Sequence, residues 1–315
     1  MGSMKYILLA TTAAALVACA AETDAPASSE EAADAAAPAE TASVPVVEAT
    51  ASGPDLEKLD AVLAAQTDET KLRYQYRHPG ETIAFFGLEP GMTVVDTLPG
   101  GPGWYASILS PYLGAEGTLV GADFAHDMWS MFGSVDADWL EARKTWEADY
   151  VSSVTELGGE DGAKVGAITL GSVSSDLDGS ADAFLMIRAV HHLNRLEDEG
   201  GYFTSALQEA SRVLKSGGTL GVVQHRSPED LPDEWAEGDN GYVKQSQVIA
   251  FVEAAGFEFV EASEINANPK DVPTTDDVVW RLPPSLGTSR DDEELRAKMT
   301  EIGESDRMTL RFRKP

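Results

Sequence analysis

The chain has 315 residues, enough for one large domain or two small ones, and 43% of them are hydrophobic, which supports a substantial core. Its formal net charge of −30 reflects 53 acidic against 23 basic residues. No basic patch of any length is visible, so nucleic acids and other polyanions are excluded as expected partners, because neutralising phosphates requires clustered cations. The acidity itself indicates a well-solvated surface.

Residues 1–19 have the layout of a secretory signal peptide. Lys5 supplies a short basic end, an apolar run follows at 7–17, and small residues surround Cys19. The apolar run is too short to span a bilayer as a stable helix. Cys19 is the only cysteine of the chain, which excludes a disulfide within the chain and a cysteine zinc cluster.

Residues 16–19 resemble the lipobox of bacterial lipoproteins. This resemblance implies that Cys19 is lipidated and anchors the protein in an envelope membrane. No aspartate follows Cys19, so the resemblance implies the outer membrane rather than the inner one. The alternative is an ordinary signal peptide with a coincidental cysteine.

The next segment, residues 20–53, consists mainly of Ala, Glu, Ser, Pro and Thr. It lacks the large apolar side chains that offset chain entropy, so it is predicted to be a disordered tether. A single domain is predicted over residues 54–315. Its first part, 54–90, is expected to form a helical lid with helices at 55–65 and 81–87.

The most informative stretch is 92–123, which predicts a strand, a glycine-rich turn, a helix and a second strand. Asp96 ends the first strand and Asp123 ends the second. Glycines between them allow a tight turn and close approach of a ligand to the backbone, while the following helix points its N–H groups at that turn. The spacing is typical of a nucleoside-cofactor pocket. The turn glycines are Gly100, Gly101 and Gly103.

Further along the chain, helices and strands alternate. Helices are predicted over 128–150, 203–214 and 244–254, and strands over 165–170, 183–187, 219–223, 257–265 and 307–313. Strands separated by helices indicate a parallel sheet that is covered on both faces.

The order of these motifs resembles class I S-adenosylmethionine-dependent methyltransferases, over roughly residues 75–315. Segments at 76–79 with Glu81, at His225 with Arg226, and at 303–307 are similar to a branch of predicted secreted bacterial methyltransferases. The resemblance implies an α/β, Rossmann-like fold with a mostly parallel seven-stranded sheet and an antiparallel C-terminal strand. It also implies S-adenosylmethionine as cofactor, a small-molecule acceptor and no metal; the oligomeric state is left open.

The resemblance also implies residue roles. The three turn glycines would cradle the methionine part of the cofactor, Asp96 would hold its amino-acid end, and Asp123 would accept hydrogen bonds from the ribose hydroxyls. Two features depart from the family pattern: Pro99 and Pro102 stiffen the turn, and the third strand ends without the acid that often contacts adenine.

Candidate catalytic bases follow the fourth and fifth strands at the same sheet edge. His191, His192 and His225 have ordinary pKa values near neutrality, which suits proton removal from an acceptor. The alternative for each is a packing or polar-network role. Candidate substrate-binding residues are Arg77, His78, Glu81 and Arg226, of which Arg226 could bind a carboxylate.

Three functions are consistent with the sequence. The first is methyl transfer to a small or envelope-located acceptor. The second is a methyltransferase-fold protein that binds an envelope ligand without catalysis, because S-adenosylmethionine is made and kept in the cytoplasm. The third, a nicotinamide-dependent dehydrogenase, is disfavoured because the chain lacks room for a separate substrate domain.

Overall fold

A central β-sheet positions most candidate site residues at the ends of its strands. The computed structural model describes residues 53–100, 103–133 and 135–315, so the predicted signal peptide, Cys19 and almost all of the predicted tether lie outside the described residues. The strands are β1 (Thr93–Thr97), β2 (Thr118–Asp123), β3 (Lys164–Thr169), β4 (Ala181–Ile187), β5 (Leu214–Ser227), β6 (Val243–Lys244), β7 (Glu258–Ser263) and β8 (Arg307–Arg313).

Seven of these strands form a continuous sheet in the order β3-β2-β1-β4-β5-β8-β7, with the two-residue β6 beside β5. Parallel pairing joins β3, β2, β1, β4 and β5. β8 pairs antiparallel with both β5 and β7. The predicted α/β architecture, mostly parallel with an antiparallel C-terminal strand, is confirmed.

The chain reverses direction across the sheet between β1 and β4. From β1 it proceeds outward through β2 to β3, and from β4 it proceeds the other way to β5. In such a sheet the connections on either side of this point lead apart, which opens a crevice outside the carboxyl ends of the strands. Ligands of doubly wound folds bind in that crevice, so the ends of β1 and β4 define the place to look.

Alternating side chains along each strand build one hydrophobic core on each face of the sheet. The helices are α1 (Leu56–Ala65), α2 (Asp68–Lys71), α3 (Tyr74–Arg77), α4 (Pro79–Phe85), α5 (Ala106–Leu113), α6 (His126–Ser130), α7 (Ala137–Arg143), α8 (Trp146–Gly158), α9 (Val190–Asn194), α10 (Glu197–Gly200), α11 (Tyr202–Val213), α12 (Gln245–Ala254) and α13 (Glu293–Ile302). Val95 and Met186 belong to a core that is completed by α11 and α12. Val94 and Leu185 belong to the opposite core, with α1, α4, α5 and α8.

One predicted element differs from the structure. The helical region expected over 128–150 consists of α6, α7 and the start of α8. The break before α7 follows from local chemistry, because the Asp136 side chain caps the backbone N–H of Trp139 at 2.8 Å and Gly133 disfavours helix interiors. Within the three described ranges, no helix combines the length and apolar character that crossing a membrane requires.

Gly121 in β2 provides a test of how closely α8 packs on the sheet. A Cβ atom at this position would lie 2.5 Å from the Tyr150 ring, which is fully buried and stacks on Trp146. We expect Gly121→Ala to lower the free energy of unfolding by about 1–3 kcal/mol through overpacking, as measured by urea denaturation. Gly166→Ala in β3 is the matched control, because its Cβ would meet Val120 at an ordinary 3.5 Å. Equal effects of the two substitutions would contradict this packing argument.

Candidate active site

Asp96, near the end of β1, is a buried carboxyl without a hydrogen-bond partner among the described residues. Its side chain is 3% exposed. Burial raises its pKa to about 7, and the opposing attraction of the Arg188 guanidinium limits that rise. A carboxyl in this state gains free energy when a cation binds beside it. Asp96 is therefore suited to an ammonium group, as the resemblance implied.

The turn after Asp96 has the backbone conformation that its glycines predict. Gly100 and Gly103 have φ angles of +84° and +78°, which other residues adopt only at a cost. A Cβ at Gly100 would meet nothing within 4 Å, whereas one at Gly103 would lie 3.0 Å from Ala106 Cβ. Gly100 thus leaves open space beside the turn, and Gly103 allows α5 to begin close to it. Gly101 lies outside the described residues.

Asp123, at the end of β2, already has partners. Its carboxylate accepts hydrogen bonds from Arg143 Nε at 2.6 Å, Arg143 Nη2 at 2.5 Å and Trp129 Nε1 at 3.1 Å. A carboxylate offers about four acceptor positions, so two ribose hydroxyls cannot both bind until some of these contacts open. Asp123 ends β2 as the strand pattern predicted, but the sequence could not predict these partners.

Arg143 is held in this position by three indole rings. Its guanidinium carbon lies 4.8, 5.2 and 5.1 Å from the ring centroids of Trp129, Trp139 and Trp146. Each such contact attracts a cation through the ring quadrupole. The three tryptophans of the predicted helical region 128–150 thus converge, from three separate helices, on the cation that binds Asp123.

A cavity of ≈ 470 Å³ lies beyond Asp123, between the loops that follow β2 and β3. Its size falls in the usual range for small-molecule sites. Gly171 and Ser172, which follow β3, face this cavity. The end of β3 therefore supplies no acid that could contact adenine there. The walls of the cavity also include Ala125, Met128, Leu193 and Tyr202.

His191, in α9, is buried with a defined tautomer. Its Nδ1 lies 3.1 Å from Gln224 Oε1, while Gln224 Nε2 donates to the Gly241 carbonyl at 2.9 Å. The amide orientation makes Oε1 an acceptor, so Nδ1 carries the proton and Nε2 is left as an acceptor. Burial, and secondarily the neighbouring His192, keeps the pKa of His191 well below its ordinary value. The ring is therefore neutral at pH 7 and can accept a proton at Nε2.

The other two histidines adjoin His191, at ring-centroid distances of 3.9 Å for His192 and 5.4 Å for His225. His225 Nδ1 contacts Ser305 Oγ at 2.5 Å, which ties the end of β5 to the segment before β8. His192 packs edge-on against Phe124 and Phe132. His192 packs against these rings, and its Nδ1 is shielded from solvent without a hydrogen-bond partner in the described part of the chain, whereas the Gln224 contact leaves Nε2 of His191 as a defined acceptor.

The substrate-binding candidates separate into different environments. Arg77 is buried, donates to Glu304 from Nε at 3.1 and 3.2 Å, and stacks on Trp104. His78 has a φ of 36° and a buried Nδ1 without a partner in the described part of the chain. Glu81 is exposed in the first turn of α4.

Arg226, the candidate for binding a substrate carboxylate, is already paired with carboxylates of the protein. It donates to Glu264 at 2.7 and 2.8 Å, to Asp306 at 2.8 and 3.1 Å and to Gln245 at 3.2 Å. The hydrogen bond with Glu264 raises the pKa of Arg226 against the opposing effect of burial, and the hydrogen bond with Asp306 raises it further. These contacts give Arg226 a bracing role between β5, β7 and the start of β8.

Two arginines not assigned to the site lie beside it. Arg188 follows β4 directly and has a φ of 58°, and Arg307 begins β8 opposite His225. Arg188, Leu98 and His78 all have positive φ at this edge, and such strain clusters at functional sites. Arg307 ends the resembling segment 303–307, but a sequence carries no signal of the φ angle of Arg188 or of the proximity of the two arginines.

No protein-family model and no curated protein sequence matches the chain. Solved structures that it resembles include a methyltransferase dependent on S-adenosylmethionine from Aquifex aeolicus, with 19% identity, a TM-score of 0.42 and coverage of 66% of this chain and 93% of that one. An arsenic(III) S-adenosylmethionine methyltransferase from Chlamydomonas reinhardtii has 18% identity, a TM-score of 0.41 and coverage of 82% and 73%.

A geranyl diphosphate C-methyltransferase from Streptomyces coelicolor, solved with Mg²⁺, geranyl diphosphate and S-adenosylhomocysteine, has 12% identity, a TM-score of 0.48 and coverage of 81% and 88%. Likenesses this distant carry no argument about activity. The fold assignment therefore rests on the strand order described above.

The buried histidines make stability depend on pH. Burial lowers the pKa of His192 to about 4, with contributions from Arg195 and Arg188, and holds those of His191 and His225 well below their ordinary values. Unfolded histidines titrate near about 6.5, so their stabilisation is present above that pH and is lost as the pH falls toward about 4. Asp96, with its raised pKa, acts oppositely and contributes stability that is lost as the pH rises through about 7. Three histidines outweigh one carboxyl in this window.

The free energy of unfolding of the wild-type protein should fall between pH 7.5 and pH 5.0. We expect this fall to be smaller by about 2 kcal/mol in His192→Phe, because one group no longer takes up a proton on unfolding. Urea denaturation at the two pH values measures the difference. His126→Asn, at an exposed position, is the control and should keep the wild-type difference. An unchanged pH dependence in His192→Phe would show that this ring is not buried in its neutral form.

Proposed function

We propose that this protein transfers a methyl group from S-adenosylmethionine to a small acceptor. The observation that carries the proposal is the unpartnered, buried carboxyl of Asp96 beside a turn whose glycines have positive φ, at the point where the sheet reverses direction. Sheets of this type bind nucleoside cofactors at this point. A buried carboxyl with a raised pKa matches the ammonium group of the cofactor's amino-acid end.

The residues present fit most of the cofactor. Asp96 would hold the ammonium group, the open space at Gly100 would receive the methionine part, and the cavity between the loops after β2 and β3 has room for a base. Asp123 would bind the ribose once its contacts with Arg143 and Trp129 open. When bound, S-adenosylmethionine supplies an electrophilic methyl group on a sulfonium centre.

His191 is the proposed base. Its Nδ1–H is held by Gln224, which orients Nε2 as the proton acceptor, and its low pKa keeps the ring neutral at pH 7. His225 lies next to His191, and the contact of its Nδ1 with Ser305 would hold the two rings in position at this edge of the site. A neutral imidazole can take the proton from an acceptor hydroxyl, amine or thiol as the methyl group is transferred.

The proposed location is the periplasmic face of the cell envelope, with a lipid on Cys19 and the outer membrane as the anchor. The sequence pattern at residues 1–19 supports this location. We also infer that the partner is a small molecule rather than nucleic acid, given the net charge of −30.

A second candidate function is binding of an envelope ligand without methyl transfer. The Asp123–Arg143 pair favours it, because the carboxylate that would bind ribose has three donors in place and its cation is held by three tryptophans. In a methyltransferase this pair must open or share the carboxylate. In a binding protein it could remain closed.

The test of methyltransferase function begins with calorimetric titration of the purified protein with S-adenosylmethionine and S-adenosylhomocysteine. We expect binding, and we expect Asp96→Asn to weaken it at least about tenfold, since a hydrogen bond to a charged group contributes about 1.5–3 kcal/mol. Asp198→Asn, at an exposed position in α10, is the control and should bind as wild type. Absence of binding of both ligands by the wild-type protein at high micromolar concentrations would exclude this function. NADH is titrated in parallel to test the dehydrogenase alternative.

The Asp123–Arg143 pair predicts a change in the opposite direction. We expect Arg143→Gln to lower the dissociation constant of S-adenosylhomocysteine about tenfold. The ribose then no longer has to break the Arg143–Asp123 ion pair, and a tenfold change corresponds to about 1.4 kcal/mol. Arg313→Gln removes another ion-paired arginine, bound to Glu258 at the opposite edge of the sheet, and should leave the dissociation constant unchanged. Weaker binding by Arg143→Gln would contradict the displacement argument.

A further inference from the structure

Positive charge is concentrated at the sheet edge beside the histidines. Arg73, Arg77, Arg188 and Arg307 lie there with Glu304 as their shared carboxylate. Glu304 accepts from Arg77 and Arg307 and lies 3.8 Å from Arg73 Nη1. Three guanidinium groups thus contact one carboxylate, while Arg188 interacts with it only electrostatically; we call these four arginines the arginine cluster.

Two members of the arginine cluster retain buried N–H groups without partners. Arg77 and Arg307 are each 3% exposed. Arg77 Nη2 and Arg307 Nε form no hydrogen bond within the described part of the chain, although both atoms are shielded from solvent. Buried polar atoms are nearly always hydrogen-bonded, and buried charges are nearly always paired. These donors therefore indicate a missing acceptor.

Arg188 is the least compensated member. Its backbone N–H donates to the Val223 carbonyl at 2.7 Å, but its side chain forms no ion pair or hydrogen bond with any residue in the three described ranges. Burial, together with Arg77 and Arg307, lowers its pKa to about 9. Asp96 is close enough to interact electrostatically, yet its own pKa is raised to about 7. The Arg188 guanidinium therefore lacks a fully charged counter-ion at neutral pH.

The position of the arginine cluster relates it to the proposed base. Arg307 pairs in register with His225 across β5 and β8, and Arg188 lies three residues before His191 in the loop and helix after β4. The ring centroids of His191 and His225 are 5.4 Å apart. A group bound by the arginines would thus lie on the acceptor side of the site, next to His191.

We propose that the arginine cluster binds a carboxylate or phosphate group of the acceptor, with Arg188 as its principal contact and Arg77 and Arg307 as supporting donors. Planar guanidinium groups recognise such oxyanions through paired hydrogen bonds. The acceptor is then a small organic acid or phosphate ester. Its identification as the methyl acceptor rests on the proposed function, whereas oxyanion binding by the cluster does not.

The binding test uses inorganic phosphate and acetate as probes against chloride at constant ionic strength, with calorimetry on the full protein. We expect saturable binding at one site. Arg188→Gly should weaken it at least tenfold, and glycine suits the positive φ of this position, so the variant should fold. Glu304→Gln should tighten binding severalfold, because it removes the carboxylate that the cluster shares. Arg313→Gln, an exposed arginine paired with Glu258, should change nothing.

The absence of saturable binding, or equal binding by Arg188→Gly and wild type, would overturn the proposal. Binding of S-adenosylhomocysteine without binding of either anion would overturn it while leaving the proposed function intact. Binding of the anions without any binding of S-adenosylhomocysteine would preserve the oxyanion site and exclude the methyltransferase.

The cofactor's own carboxylate has the same chemistry, and competition distinguishes the two sources. If the oxyanion belongs to the acceptor, phosphate and S-adenosylhomocysteine bind together, each within twofold of its separate affinity. Mutual displacement of phosphate and S-adenosylhomocysteine, with no displacement of phosphate by 5′-methylthioadenosine, would assign the cluster to the cofactor carboxylate and overturn the acceptor assignment.

Discussion

The parallel pairing of β1 with β4 is the constraint on which the site depends. These strands are adjacent while their connections lead to opposite sides of the sheet, so the edge between them is left as a crevice. Hydrophobic cores cover both faces and direct polar side chains to the strand ends. Asp96, Arg188 and His191 meet at this edge because each follows or ends one of the two strands.

The charged residues near the site differ in whether other protein groups compensate their charge. Compensated residues stabilise the fold, whereas uncompensated ones are candidates for binding a ligand. Arg226 and Asp123 have their hydrogen-bonding capacity largely filled by protein groups. Asp96 and Arg188 lack such partners among the described residues, and burial shifts the pKa of each toward its neutral form. Opposite unmet charges on two neighbouring strand ends suit an ammonium group at Asp96 and an oxyanion at Arg188.

Much of the fold could be predicted because its signals are local. Alternating and continuous apolar runs located the main strands, and the buried face of α11 matches the predicted amphipathic pattern. The region at 128–150 was predicted less well, since its tryptophans serve a tertiary contact with Arg143 rather than a helix face. Among the candidate site residues, Asp96 and Gly100 were predicted from a strand–turn motif. Arg188 was not predicted as a site residue, because its neighbours along the chain give no signal of a left-handed backbone or of an unpaired guanidinium.

The sequence by itself determined the α/β class, the order of strands and helices, and the glycine turn with its two flanking carboxyls, because each depends on residues within about one element of each other. Only the tertiary structure decided which charges meet. Arg77 and Glu304 are 227 positions apart yet share hydrogen bonds, and Arg143 reaches Asp123 from another helix. Electrostatic energy depends on distance and burial rather than on composition. A chain with a net charge of −30 can therefore enclose a positively charged site.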